Sequence, residues 1–193
     1  MSILSAKFIK GLVGPDEILD DGISQIAFIG RSNVGKSSLI NALTNSKGLA
    51  KTSSFPGRTQ QINIFLASAS GGNKFYLIDL PGYGFAKASK DQQKEIQQLI
   101  YWYLLDSDYV QKKVVLIVDA NVGATDTDLA MLHSLEERGK DIVIVANKAD
   151  KLKKSEYTKK LEAIHGIAAN IPVVACSSEK KTGIQELTQI LFN

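Results

Sequence analysis

The sequence predicts an α/β fold: a mainly parallel sheet of six to seven strands, with one antiparallel hairpin strand and helices on both faces. Three observations lead there. Continuous apolar runs such as 113–119 (KVVLIVD) and 141–146 (DIVIVA) alternate with amphipathic stretches, the pattern of strands buried on both faces and the helices that cover them. Two further runs, 61–67 and Lys74 to Asp79, flank Gly71-Gly72-Asn73, which marks a hairpin. Finally, the apolar run Ile26 to Ile29 stops at Gly30 and enters a helix through a glycine-bounded loop.

Taken in order, residues 4–12 suit a first strand at the sheet edge, and Pro15 to Asp21 a loop. Strand 25–29 follows, then a helix from about Lys36 that carries Leu39, Ile40 and Leu43 on one face. From Ser46 to Gln60 the chain is polar, basic and rich in Gly, Ser and Pro, so it buries little surface and is expected to be mobile. Within 89–105, Ile96, Leu99, Ile100, Tyr103 and Leu104 share one helix face, and Trp102 falls off it. The remainder reads as strand 113–119, helix about 125–138, strand 141–146, helix about 153–165, strand 172–176 and helix about 182–192.

A chain of 193 residues, 44% of them hydrophobic, is long enough for one core and short for two. A single domain over 1–193 is expected, with 1–23 an N-terminal strand and acidic loop and 24–193 the core. The 23 basic and 20 acidic residues leave a charge of +3, which does not by itself announce a nucleic-acid binder. One cysteine, Cys176, forbids an intrachain disulfide, and His133 and His165 lack neighbouring cysteines that would make a zinc site. The stretch MSILSAKFIK lacks the apolar region of a signal peptide, and no apolar run nears the ~20 residues of a membrane span. A cytoplasmic protein with no membrane association is expected.

The chemistry starts at Gly30-Arg31-Ser32-Asn33-Val34-Gly35-Lys36-Ser37, followed by Ser38, which matches G-x-x-x-x-G-K-[ST]. Backbone N–H groups of such a loop converge on a phosphate, and the next helix adds its N-terminal dipole. Lys36 reaches the β- and γ-phosphates and the Ser37 hydroxyl coordinates Mg²⁺. Asp79-Leu80-Pro81-Gly82 ends a hairpin strand and matches D-x-x-G: Asp79 holds a Mg²⁺-bound water, and the Gly82 N–H meets a γ-phosphate. Asn147-Lys148-Ala149-Asp150 matches N-K-x-D. The Asp150 carboxylate accepts two hydrogen bonds from guanine, whereas adenine presents it with an acceptor, a mismatch worth about 10⁴-fold in selectivity. Lys148 runs its stem over the base, and Asn147 ties the motif to neighbouring loops. Cys176-Ser177-Ser178 ends the last strand and offers backbone N–H groups to guanine O6. In Pro56-Gly57-Arg58-Thr59-Gln60, Thr59 is the candidate to reach Mg²⁺ when γ-phosphate is present, with Thr52 its rival, and Gly57, Arg58, Gln60 and Gln61 belong to the same set of nucleotide contacts.

GRSNVGKSS, PGRTQ, DLPGYG and NKAD together resemble the EngB family of bacterial GTP-binding proteins, across essentially the whole chain. The resemblance implies a Ras-like G domain of the P-loop class that binds GTP and GDP with Mg²⁺. It also implies a role in maturing the large ribosomal subunit through rRNA or ribosomal-protein contacts, with division and septation attached, and a monomer is expected. Tyr83 stands where many GTPases have a water-orienting glutamine, so intrinsic hydrolysis is expected to be slow. Asn33 sits where potassium-using relatives place an asparagine ligand to K⁺. Arg58 is a candidate internal arginine finger, but it adjoins Thr59 on an extended segment: if Thr59 faces the metal, Arg58 faces away, and a solvent or RNA contact is the favoured reading. Lys148, Lys151, Lys153, Lys154, Lys159 and Lys160 form a basic cluster that reads either as a solvated face or as an RNA contact. The rivals to a GTP-gated switch are a nucleotide-responsive scaffold without significant hydrolysis and a kinase on the same fold, the latter disfavoured by N-K-x-D.

Overall fold

The computed structural model describes residues 3–51, 61–84 and 89–192. One seven-stranded sheet runs through them in the order β1-β3-β4-β2-β5-β6-β7. Its strands are β1 (Ile3–Leu12), β2 (Ser24–Gly30), β3 (Ile62–Ala69), β4 (Lys74–Asp79), β5 (Gln111–Asp119), β6 (Ile142–Asn147) and β7 (Val173–Ala175). The helices are α1 (Lys36–Leu43), α2 (Lys90–Tyr101), α3 (Asp126–Glu137), α4 (Tyr157–Ile167) and α5 (Ile184–Phe192). Strands β4, β2, β5, β6 and β7 are parallel. Only β3 runs against its neighbours, β1 and β4, as the hairpin pattern required. All five parallel strands therefore end on one rim, where open α/β sheets bind ligands.

Alternation along the central strands divides the core in two. Ala27 and Ile29 of β2, Val114 and Leu116 of β5 and Ile144 of β6 pack with Ile96, Ile100, Met131, Leu132, Leu135 and Ile164 of α2, α3 and α4. Ile26, Phe28, Val115, Ile117, Val143 and Val145 face the other way, against Leu39, Ile40 and Leu43 of α1 and Leu187, Leu191 and Phe192 of α5. Each such side chain contributes roughly 1.5–3 kcal/mol on burial, so a one-residue slip in β2 would exchange both layers at once.

Departures from the expected elements have local causes. Leu99 is only partly buried, and the α2 helix gives way at Trp102–Asp106 to a π-turn, in which Trp102 O accepts from Ser107 N at 2.8 Å. The π-turn rotates Tyr103 and Leu104 fully into the core and leaves Trp102 half-buried. Helix α4 starts four residues later than expected because residues 154–156 form a turn first, in which Glu156 N donates to Lys153 O at 2.9 Å. The segment expected to be mobile from Ser46 is anchored as far as Ala50. Both sides of the Asn41 amide, on α1, bond the backbone of buried Ala50, each at 2.8 Å.

A buried polar relay stiffens the sheet beneath the site. Tyr103 donates its hydroxyl to Gln25 Oε1 at 2.7 Å, Gln25 Nε2 donates to Leu19 O, and Gln111 Nε2 donates to Tyr103 O. Burial pushes the Tyr103 phenol far above its ordinary range, so it stays a neutral donor. Tyr103→Phe is expected to cost about 1–3 kcal/mol, the penalty of a buried amide oxygen left unpaired. In urea unfolding this reads as a lower midpoint at unchanged slope.

Candidate functional site

Strand β2, buried from Gln25 onward, delivers the phosphate loop to the rim. At its far end Gly35 caps α1 with φ 98° and no side-chain capping bond, which leaves the first N–H groups of the helix to an anion. Any Cβ at Gly35 would run into the Asn147 Nδ2 atom, so the glycine is required by contact as well as by backbone angle. Val34 belongs to the core by its side chain, and its N–H is given to Arg31 O at 3.2 Å.

Lys36 and Asp79 meet in this loop. The Lys36 ammonium hydrogen-bonds Asp79 Oδ1, and both side chains are nearly excluded from water, at 9% and 5% exposure. A buried pair of opposite charge persists only when each satisfies the other. A polyphosphate and a divalent cation arriving together would give each a new partner. Asp79 and the Ser37 hydroxyl are hard oxygen donors, one carboxylate and one hydroxyl, with the remaining positions left to phosphate oxygens and water. That is the donor set Mg²⁺ accepts. Among the described residues no group of three or more His, Cys, Asp and Glu forms a separate metal cage.

The segment after Asp79 is sewn to the phosphate loop. Leu80 N donates to Phe28 O, Tyr83 N to Gly30 O and Ser32 N to Tyr83 O at 2.9 Å. Leu80 is fully buried, so only its backbone belongs to the rim. A Cβ on Gly82 would lie 3.0 Å from the Ser32 backbone, a measure of how closely the two loops approach. Tyr83 donates its hydroxyl to Asp128 Oδ1 at 2.7 Å, and Arg31 Nε donates to Asp128 Oδ2 at 3.1 Å. Burial first, then the Asp128 charge, holds the Tyr83 phenol well above its ordinary range.

The base-reading loop is bonded directly onto the phosphate loop. Asn147 Nδ2 donates to Val34 O at 3.0 Å, and Lys148 Nζ donates to Asn33 O and to Asp119 Oδ2, both at 2.8 Å. Lys148 reaches them from a left-handed backbone, φ 62°. On the other side Asn147 Oδ1 accepts from Ser178 N and Oγ, and Ala149 N donates to Cys176 O. The Ser177 hydroxyl is the main cause that holds the Asp150 carboxyl below its ordinary range, so it is ionised at neutral pH, as a partner for guanine must be.

The loop after β7 departs from expectation. The Cys176 N–H is spent on Ala146 O and that of Ser177 on Thr182 O, which leaves only Ser178, at 3.3 Å from Asn147 Oδ1, able to be redirected to a base oxygen. Cys176 and Ser177 shape the loop instead. Gln61 bonds Asn63 at 3.0 Å, with its amide against Gly11 of β1, so its side chain is committed to the sheet edge rather than to the nucleotide rim. Thr52, Gly57, Arg58, Thr59 and Gln60 lie outside the described residues. Of the basic cluster, Lys148, Lys151 and Lys160 are engaged within the chain, and Lys153, Lys154 and Lys159 are exposed. His133 and His165 are exposed on separate helices.

Two residues of the site, Asp119 and Asp128, are not announced by the sequence motifs. Asp119, the carboxylate that ends β5, carried a signal in its strand-end position. Asp128 and its tie to Arg31 carried none beyond a helix start.

Comparison with known proteins agrees with the geometry. Residues 25–148 match the family model described as 50S ribosome-binding GTPase, and residues 107–193 the elongation factor Tu GTP binding domain. A probable GTP-binding protein EngB of Clostridium perfringens strain 13 is 41% identical, covering 100% of this chain and 97% of that one. Its counterpart in Rhodospirillum rubrum is 42% identical over 95% of this chain and 81% of the relative. The crystal structure of a probable GTP-binding protein engB superposes with a TM-score of 0.67 at 27% identity, covering 88% of this chain and 97% of that chain. Aquifex aeolicus Era bound to GDP·AlF4⁻ shares the fold, with a TM-score of 0.73 at 22% identity over 87% of this chain and 55% of that one.

Two outcomes follow from this geometry. Asn147→Ala strands Val34 O and Ser178, and is expected to cost about 2–4 kcal/mol in urea unfolding and to weaken GDP binding by about 10²-fold in calorimetry. Burial pushes the Cys176 thiol up to about 12, which disfavours the thiolate. Alkylation at neutral pH should therefore be negligible in the folded chain and complete in denaturant.

Proposed function

The chain belongs to the EngB family of GTP-binding proteins, and from that premise we propose that it is a GTP-gated switch in assembly of the large ribosomal subunit. The observation that carries the reading is the direct bonding of the base loop to the phosphate loop through Asn147 and Lys148. Such bonding supports one ligand spanned from Asp150 at its base to Lys36 at its phosphates.

In the proposed mechanism Gly35 and the N–H groups after it cradle the β-phosphate, and Lys36 turns from Asp79 to the phosphate oxygens. Ser37, Asp79 and Thr59 would hold Mg²⁺, which when bound supplies charge neutralisation to the transferring phosphoryl group. The Gly82 N–H meets the γ-phosphate and so reports its presence. Tyr83 keeps its proton and donates it in a hydrogen bond to Asp128, so its hydroxyl is not free to act as a base toward water. Hydrolysis by the isolated chain is therefore slow, on the order of 10⁻⁴ s⁻¹, and needs a charge supplied by a partner. Asn33, exposed and at φ 64° in the loop, is the residue proposed to bind a K⁺ ion beside the phosphates. Cell division and septation are the downstream roles that the family resemblance attaches to such a switch.

The description of the matching family model supports the ribosomal partner, and exposed Lys153, Lys154 and Lys159 are the residues proposed to meet rRNA. No helix among the described residues is long and apolar enough to cross a membrane; a cytoplasmic monomer built as one G domain belongs to the same proposal.

Co-sedimentation with large ribosomal subunits tests this. Retention is expected with a GTP analogue and not with GDP, falling steeply with added salt as lysine–phosphate contacts are screened. Single-turnover hydrolysis with isolated particles separates the switch from a nucleotide-responsive scaffold, which would bind without hydrolysing. Hydrolysis measured in matched KCl and NaCl should be faster in KCl; equal rates would remove Asn33 from the site. Comparable ATP and GTP affinities would overturn the base reading and revive a kinase.

A further inference from the structure

Asp128 lies on α3, far along the chain from every nucleotide motif, yet it is 1% exposed and fully employed. Oδ1 accepts from Tyr83 at 2.7 Å. Oδ2 accepts from Arg31 Nε at 3.1 Å and from Thr125 N and Oγ1 at 2.9 and 2.8 Å. Helix capping explains the Thr125 bonds alone. The other two reach across the rim, to the first variable position of the phosphate loop and to the residue directly after Gly82. A buried carboxylate needs compensation, and an arginine 97 residues away supplies it.

We infer that Asp128 is a positioning residue for γ-phosphate recognition, acting through Tyr83 to hold the Gly82 N–H against the phosphate loop. The inference rests on the guanine-nucleotide reading of the site and deepens it. Tyr83 is fixed at three points: its N–H on Gly30 O, its carbonyl under Ser32 N, and its hydroxyl on Asp128. The first two are neutral backbone bonds of the bridge between Arg31 and Tyr83. The third is charge-assisted and the strongest of the set. It holds the segment in its docked position, with Gly82 close against Ser32. Holding Gly82 there before the ligand arrives removes an ordering cost that only a γ-phosphate would otherwise meet. GDP makes no such demand. Asp128 thus favours the triphosphate over the diphosphate without touching either.

The test is binding of GDP and of a non-hydrolysable GTP analogue to the wild-type chain, Asp128→Asn and Tyr83→Phe, with thermal midpoints alongside. Asp128→Asn should lose about five- to tenfold in analogue affinity and Tyr83→Phe about threefold, while GDP affinity stays within about twofold in both. A merely structural role would weaken both nucleotides alike, and that result overturns the inference. So does unchanged or tighter analogue binding. Selective loss in Asp128→Asn without any in Tyr83→Phe also overturns it, because Asp128 would then act through Arg31. Should Asp128→Asn fail to fold, Tyr83→Phe decides alone, since it removes one hydroxyl and keeps the ring. A wild-type chain that binds neither nucleotide overturns the site reading itself, and this inference with it.

Discussion

The site depends on one buried carboxamide. Asn147 closes β6, bonds the phosphate loop through Val34 O, and receives Ser178 from the loop after β7. Its own carbonyl accepts from Ala120, at the end of β5. Three loops that would otherwise move independently are therefore referred to one strand end, and the register of β6 on β5, with Asp119 opposite Asn147, fixes where that end lies. The constraint propagates into sequence. Asn147 Nδ2 occupies the space a Cβ would need at Gly35, so glycine is dictated there by the base loop as much as by any phosphate.

A second, charged pin acts at the opposite end of the same loop. Asp128 grips Arg31, whereas Asn147 grips Val34, so the phosphate loop is held from both flanks by groups from α3 and β6. The two pins differ in kind. Asn147 sits between loops that both follow strands of the rigid sheet, which suits a base pocket that must stay complementary. Asp128 joins α3 to Tyr83, on the segment that answers to the γ-phosphate, and a bond there can be made or released without disturbing the strands. On the proposed reading, recognition of the base and of the third phosphate would thus be divided between a carboxamide and a carboxylate.

Much of this was legible in the chain. Strand runs, the hairpin and the α1 face follow from local periodicity, and the phosphate, D-x-x-G and N-K-x-D residues from spacing at strand ends. What stayed hidden is non-local. Thr125 and Asp128 form a capping box at the start of α3, and nothing in the neighbouring sequence announces that the same carboxylate also meets Arg31 and Tyr83. Gln61 abuts a site motif in sequence, yet its amide belongs to β1 because Gly11 leaves room for it there. The strand-end position of Cys176 and Ser177 suggests that their N–H groups meet the base. The ladder with β6 and a bridge to Thr182 claim them first, because a backbone donor at a strand end bonds its neighbour unless the chain turns away.

Tyr83 has its hydroxyl committed within the chain, at the position directly after D-x-x-G. A glutamine after D-x-x-G is free to address water. The tyrosine is committed: burial and the facing carboxylate keep its proton in place, and its hydroxyl points at α3. What the site loses in water positioning it gains in coupling, because any shift of Gly82 pulls on Asp128 and hence on the start of α3. Beside that bond lies a cavity of about 270 Å³ between Gly82–Gly84, α2 and α3, lined by Ile96, Ile100, Tyr101 and Met131. On the reading proposed above, the residue whose hydroxyl is spent on Asp128 is thus the one that links the segment after Asp79 to the outer helix α3.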